Sequence, residues 1–128
     1  SFPPKGTPMF RPKLLAAITV TGLLMATTAL AHPQVITRSP EAGAKLKTSP
    51  KEVRVMFSEQ LELPLSTAKI EGPDGKPIAI GALATDKGSF SLIIPIKAKL
   101  KPGAYTVSWE IVTEDHDMPG RYRFEVKP

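Results

Sequence analysis

The sequence predicts an all-β protein, a Greek-key β-sandwich of about seven strands. Apolar and polar residues alternate with a period of two after residue 32, as they do in strands that bury one face. Turn-forming residues recur about every 8–12 positions, a spacing typical of sandwiches. A Pro-Gly turn followed by a tyrosine also marks the start of the longest strand. The chain shows no internal repeat and no amphipathic helix pattern.

The alternation predicts seven strands separated by turns. The tetrapeptide Gly72-Pro73-Asp74-Gly75 is a strong turn signal, and Pro95 limits pairing at the end of one strand. The predicted strands cover residues 34–39, 53–57, 67–71, 78–80, 89–94, 104–112 and 121–126. In the longest of them, the residues expected to face the core are Tyr105, Val107, Trp109 and Ile111.

A tyrosine follows a tight turn in the run Leu100-Lys101-Pro102-Gly103-Ala104-Tyr105. This pattern is typical of the tyrosine corner of Greek-key sandwiches, in which the phenol hydroxyl bonds back to nearby backbone. We therefore predict that Tyr105 and the single tryptophan, Trp109, are core residues rather than a ligand-stacking surface.

Residues 9–31 are predicted to be a secretory signal peptide. Arg11 and Lys13 supply its positive region, residues 14–26 its apolar core, and Ala29-Leu30-Ala31 a small-x-small cleavage site. Threonines dilute the apolar segment and no stop-transfer charges follow it, so a transmembrane anchor is the weaker interpretation.

Cleavage after Ala31 would leave a mature domain of residues 32–128. Residues 1–8 precede the expected start at Met9 and are interpreted as upstream or added sequence outside the fold. The mature part is long enough for one modest core. Because the chain has no cysteine, an exported domain must be held together by packing alone, and it has no thiolate for soft metals.

The formal charge of +5 overstates how basic the domain is. Lys5, Arg11 and Lys13 lie before residue 32, which leaves 14 of the 17 basic residues against 12 acidic ones. No run rich in lysine and arginine resembles a nucleic-acid-binding segment. We therefore expect a solvated surface of mixed charge and no nucleic-acid partner.

One stretch concentrates chemistry-bearing side chains: Glu114, Asp115, His116 and Asp117, which place three carboxylates around one imidazole. It is expected in the turn between the last two strands, closed by Pro119-Gly120. The carboxylates would favour a bound cation, although a solvated loop histidine is the simpler interpretation. If strand alternation continues to residue 116, Glu114 shares a face with His116 and is the carboxylate ligand; a bulge would favour Asp115 instead.

His32 is the other histidine of the expected mature domain and would carry its free α-amine. The amine and imidazole of one residue can chelate the same ion, and this amine can lose its proton to a metal near neutral pH. Pro33 has no amide hydrogen, so coordination by the second backbone nitrogen is excluded. These nitrogen and oxygen donors together suit Cu(II).

Several motifs in order resemble those of CopC-type periplasmic copper-resistance proteins, and the resemblance spans nearly the whole domain. Near the C-terminal end, His116 stands three residues before the Pro-Gly pair. The other matching motifs are Ala29-Leu30-Ala31-His32-Pro33, Ser39-Pro40-Glu41-Ala42-Gly43, Val55-Met56-Phe57-Ser58-Glu59 and the Leu100-x-Pro-Gly-x-Tyr105-x-Val107-x-Trp109 strand.

This resemblance implies an immunoglobulin-like or cupredoxin-like sandwich in the periplasm, and we expect no enzymatic activity. It implies one Cu(II) per mature chain, held by the N-terminal histidine, a second histidine and an aspartate. His32 and His116 match the histidines, whereas the aspartate position is Glu114, with Asp115 adjacent. The resemblance also implies an inner-membrane copper permease as partner, and we expect a monomer. Some relatives have a methionine-rich Cu(I) site in a loop, but residues 72–88 contain neither Met nor His.

We therefore expect a periplasmic Cu(II)-binding protein that acts as a copper carrier or buffer in copper resistance, and two other functions are the alternatives. The pair of histidines resembles the histidine brace of lytic polysaccharide monooxygenases, but the domain is small and has no flat aromatic array. A metal-free sandwich acting as an adhesion or chaperone module is the other alternative. Copper binding would distinguish the carrier and the monooxygenase from the metal-free module. Turnover with peroxide or a reductant would distinguish the monooxygenase from the carrier.

Overall fold

Seven strands form in residues 33–128, the part of the chain that this computed structural model describes. They are β1 (Val35–Ser39), β2 (Lys45–Leu46), β3 (Glu52–Phe57), β4 (Thr67–Glu71), β5 (Ser91–Pro95), β6 (Gly103–Val112) and β7 (Asp117–Val126). The predicted signal peptide and His32 lie outside the described residues. Within residues 33–128, no helix has the length and apolar character needed to cross a membrane.

The strands assemble into two sheets. One has the order β1-β3-β5, and the other has the order β2-β7-β6-β4. All pairings are antiparallel except the short one between β2 and β7. Consecutive strands from β1 to β6 alternate between the sheets, so each connection passes from one layer to the other and links the two sheets. The predicted all-β sandwich is confirmed.

The core forms where the alternating apolar residues of the two sheets meet. On β3, Val53 and Val55 are fully buried opposite Ile94 and Leu92 of β5. On the other sheet, the four residues predicted to face the core are all buried, and so are Tyr122, Phe124 and Val126 of β7. A strand with one apolar face has a single register that buries that face, which is why the pattern determines the layers.

The tyrosine corner is confirmed. Tyr105 Oη donates a hydrogen bond of 2.6 Å to the carbonyl oxygen of Lys101. Its ring stacks on Phe124 with 5.6 Å between centroids, and burial raises the pKa of the phenol. The corner fixes the start of β6, whose other end leads into residues 113–116, the histidine turn.

The structure differs from the predicted strands in three places. Residues 78–80 form no strand; Ile80 makes only an isolated bridge to Ile96. The short strand β2 was not expected. The last strand begins at Asp117 rather than residue 121, so Pro119 and Gly120 lie within β7 and do not close the turn. Gly120 pairs with Trp109, and the missing side chain leaves room for the indole.

We predict that Gly120→Ala destabilises the domain because the new Cβ would lie 2.6 Å from three atoms of the Trp109 indole. Overpacking of this kind costs about 1–3 kcal/mol in the free energy of unfolding, measured by urea denaturation. Gly72→Ala is the matched control, since its Cβ would meet neighbours at ordinary distances of 3.5–3.6 Å. Equal losses in the two variants would contradict this account of the Trp109–Gly120 contact.

Candidate metal centre

The turn that carries His116 is a four-residue connection between β6 and β7. The Thr113 amide donates to the His116 carbonyl oxygen at 2.8 Å, and the His116 amide donates to Thr113 Oγ1 at 3.1 Å. Thr113 is buried, so it continues the inward face of β6. These bonds place His116 opposite Thr113, on the same side of the hairpin.

Glu114 and Asp115 form the exposed tip of this turn. Strand β6 ends at Val112, so the alternation of that strand does not run through to residue 116. Neither carboxylate makes a hydrogen bond or an ion pair with another residue of the described range. The condition under which Glu114 was favoured over Asp115 is therefore not met in this conformation.

The carboxylate that lies beside His116 is Glu59. Its Oε1 atom is 3.3 Å from His116 Nδ1, and the two side chains are 29% and 27% exposed. Glu59 follows β3 in the three-stranded sheet, whereas His116 precedes β7 in the four-stranded sheet. The contact thus joins the two sheets at one end of the sandwich.

Sequence analysis missed Glu59 as a partner of His116. The two residues are 57 positions apart, so no local spacing could reveal their contact. The available signal was that Glu59 closes the Val55-Met56-Phe57-Ser58-Glu59 motif and lies two residues after the core strand β3 ends at Phe57.

The segment around Glu59 is held by the connection before β5. The amides of Phe57 and Leu61 donate to the carbonyl oxygens of Phe90 and Ser89, at 2.8 and 2.7 Å. Asp86 organises that connection, because its carboxylate accepts a 2.6 Å hydrogen bond from Ser91 Oγ. This bond holds the pKa of Asp86 below its ordinary value, despite an opposing contribution from desolvation.

Ser58, directly before Glu59, fixes the start of the described chain. The Gln34 amide donates to Ser58 Oγ, and the Ser58 amide donates to the Gln34 carbonyl oxygen, both at 2.9 Å. Pro33 is buried. Two consecutive residues therefore hold two distant parts of the chain: Ser58 holds residue 34 and Glu59 contacts His116.

A buried serine connects the same segment to the end of β6. Ser66 Oγ donates to the Glu62 carbonyl oxygen at 3.1 Å and accepts a hydrogen bond from the Val112 amide at 3.0 Å. The Glu62 amide in turn donates to the Val112 carbonyl oxygen at 2.7 Å. The connection after β3 and the end of β6 are thus bonded together through both the amide and the carbonyl oxygen of Val112.

Residues 33–128 contain no group of three or more His, Cys, Asp and Glu side chains placed to hold a metal ion. Of the four predicted ligands, His116, Glu114 and Asp115 lie on one turn, and His32 lies outside the described residues. The described residues therefore supply one imidazole with a nearby carboxylate, plus two exposed carboxylates on the same turn.

Comparison with known proteins identifies the fold and the family. A family model for the CopC domain matches residues 35–127. Copper resistance protein C from Escherichia coli is 33% identical over 121 residues, which cover 87% of this chain and 95% of that protein. Protein YobA from Escherichia coli K12 is 36% identical over 110 residues, or 84% of this chain and 89% of that one.

Two crystal structures have a similar fold. CopC from Methylosinus trichosporium OB3b superposes with a TM-score of 0.69 and 26% identity, over 76% of this chain and 95% of its own. PcoC, a methionine-rich copper resistance protein from Escherichia coli, gives a TM-score of 0.67 and 31% identity, over 76% of this chain and all of its own.

We predict that Thr113→Val loosens the histidine turn, because it removes the hydroxyl that accepts the His116 amide while keeping the side-chain shape. The loss should be about 1 kcal/mol in the free energy of unfolding, with faster hydrogen exchange at His116. Thr113→Ser keeps the hydroxyl and is the control. If valine and serine behave alike in both measurements, the hydroxyl does not hold the turn.

Proposed function

Since the chain belongs to the CopC domain family, we propose that it is a periplasmic copper-binding protein that acts as a carrier or buffer in copper resistance. In this proposal, one Cu(II) ion binds per mature chain. The ligands are His32, His116 and a carboxylate of the histidine turn. The protein binds and releases copper and has no catalytic role.

The observation that carries this proposal is the convergence on Ser58 and Glu59. Ser58 is hydrogen-bonded to Gln34, and Glu59 contacts His116. Two peptide links separate residue 32 from Gln34, so covalent geometry keeps their Cα atoms within about 7.6 Å of each other. A chain anchored in this way supports a site in which the mature N-terminus meets the histidine turn.

Glu59 suits the role of orienting His116. A histidine that binds a metal through one ring nitrogen usually donates the other N–H to a carboxylate or a carbonyl. The 3.3 Å contact involves Nδ1, so the proposal gives the proton to Nδ1 and the metal to Nε2. Glu59 would then fix the tautomer and the ring orientation without binding copper itself.

In this proposal Glu114 is the carboxylate ligand because of its position in the family pattern, since the strand alternation that favoured it stops at Val112. The position of Glu114 two residues before His116 corresponds to the aspartate of the family pattern, and its exposed side chain at the turn tip has no other described partner. Asp115 occupies the same tip with a shorter side chain and is the alternative. The longer side chain of Glu114 has one more rotatable bond to order on binding.

Donor chemistry supports Cu(II) rather than Cu(I). The whole chain has four methionines and no cysteine, and two of those methionines, Met9 and Met25, precede residue 32. Met56 is exposed on β3, whereas Met118 packs against the core from β7. Soft thioether donors are thus sparse, and nitrogen and oxygen donors suit Cu(II).

The proposed partner is an inner-membrane copper permease, and the proposed state is a monomer.

We predict that processing creates the site. A chain that begins at His32 should bind Cu(II) about 100-fold or more tightly than the chain with residues 1–31 attached, because a peptide nitrogen replaces the basic amine in the longer form. The matched control is the chain beginning at His32 with its α-amine acetylated, which removes the basic amine and keeps every side chain. Equal Cu(II) affinity in all three forms, measured by competitive titration, would refute the N-terminal ligand.

We predict that His116→Ala weakens Cu(II) binding by more than about 100-fold, and that Glu59→Gln weakens it by about 10–100-fold, the range for outer-shell partners. Glu62→Gln is the control, since Glu62 is an exposed carboxylate on the same connection that uses only its backbone in hydrogen bonds. If Glu59→Gln and Glu62→Gln have the same effect, Glu59 has no role in copper binding.

Isosteric amide substitutions distinguish the two carboxylates at the tip of the turn, those of Glu114 and Asp115. Glu114→Gln should lower Cu(II) affinity and change the paramagnetic resonance spectrum, while Asp115→Asn leaves the spectrum unchanged. The opposite result would give the ligand role to Asp115. If neither amide changes the spectrum, copper has no carboxylate ligand from this turn.

A further inference from the structure

Lysines gather at the end of the sandwich opposite the histidine turn. This lysine end consists of residues 40–51, 72–77, 96–102 and 127–128. Its connections are bonded to one another: the Leu100 amide donates to Ser49 Oγ at 2.8 Å, and the Lys127 amide donates to the Leu46 carbonyl oxygen at 2.7 Å. Its eight exposed lysines are Lys45, Lys47, Lys51, Lys76, Lys97, Lys99, Lys101 and Lys127.

Acidic and basic residues are mixed along the sequence, but the fold places most of the lysines at one end of the sandwich and several acids at the other. The lysine end carries two acidic side chains, Glu41 and Asp74, and the strands that border it carry Glu52, Glu71 and Glu125. The connections at the other end, residues 58–66, 86–90 and 113–116, carry five acids and, besides His116, a single cation, Lys87. Strand β6 runs from one end to the other through 10 residues, about 30 Å at about 3.4 Å per residue.

No lysine of the lysine end forms an ion pair with another described residue. The ion pairs of residues 33–128 are Arg54–Glu52, Lys69–Glu71 and His116–Glu59, and none includes a lysine of this end. The tyrosine corner uses the backbone carbonyl of Lys101 and leaves its side chain in solvent. The fold therefore does not account for these eight side chains.

We propose that the lysine end binds a membrane surface rich in anionic phospholipid headgroups. Lysine is a compact, strongly hydrated point charge, and several of them suit a diffuse negative surface potential. Arginine, which favours bidentate recognition of single groups, is absent from all four segments. Lysine is also depleted in protein–protein interfaces, which favours lipid over an acidic protein partner. Bound in this way, the domain presents its histidine turn to the aqueous side.

The test compares partitioning onto vesicles of equimolar phosphatidylglycerol and phosphatidylcholine with partitioning onto pure phosphatidylcholine. The readout is the ratio of the two partition coefficients, so any contribution of residues 1–32 is common to all variants. Replacing Lys97, Lys99 and Lys101 by Gln should reduce that ratio about 100-fold, since each lysine near an anionic surface contributes about a factor of five. Replacing Lys45, Lys47 and Lys51 should do the same, which guards against a folding defect in one variant.

The matched control replaces Lys87, Arg121 and Arg123 by Gln, which removes equal charge outside the lysine end. It should change the ratio much less, and about tenfold higher salt should abolish the preference of the wild type for anionic vesicles. The same loss in control and test variants would refute a localised surface. A wild type without preference for anionic vesicles would also overturn the proposal. If the lysine substitutions instead weaken binding only to immobilised polyglutamate, this end binds an acidic protein. None of these outcomes depends on copper binding.

Discussion

The hydrogen bonds that converge on Ser58 and Glu59 are the constraint on which the candidate site depends. These residues leave β3 just after Phe57, which is buried between the sheets and meets Trp109 edge-on, with 5.8 Å between ring centroids. The spacing of the sheets therefore fixes the separation of Glu59 from His116. Core packing therefore sets the relative position of Glu59 and His116, although both residues lie in connections between strands.

The histidine turn adds a second constraint to the first. Thr113 forms hydrogen bonds with both the amide and the carbonyl oxygen of His116, which closes the turn. Ser66 bonds the end of β6 to the connection that carries Glu59. Both hydroxyl-bearing side chains are buried, where an unpaired polar group would be costly, so each helps to specify one conformation. The two tip carboxylates remain exposed on a backbone that is held on both sides.

The fold could be predicted wherever the signal is local. Period-two alternation gave the facing of β3, β6 and β7, and the Pro-Gly-x-Tyr run gave the tyrosine corner. Prediction failed where a neighbour decides the outcome: Pro119-Gly120 has the composition of a turn, yet Trp109 needs the bare backbone of Gly120 inside a strand. The site divides in the same way. The residue types around His116 indicated a cation site, but its contact with Glu59 and the sorting of lysines to one end arise only from the topology.

The most direct test of the account is a crystal structure of the chain beginning at His32, loaded with Cu(II), with anomalous scattering collected at the copper edge. The account predicts one copper peak at the histidine turn, bonded to Nε2 of His116 and to the amine and imidazole of His32, with Glu59 still at hydrogen-bond distance from Nδ1. A copper ion bound elsewhere, or at this turn without His32, would contradict the proposal that His32 and His116 share one site.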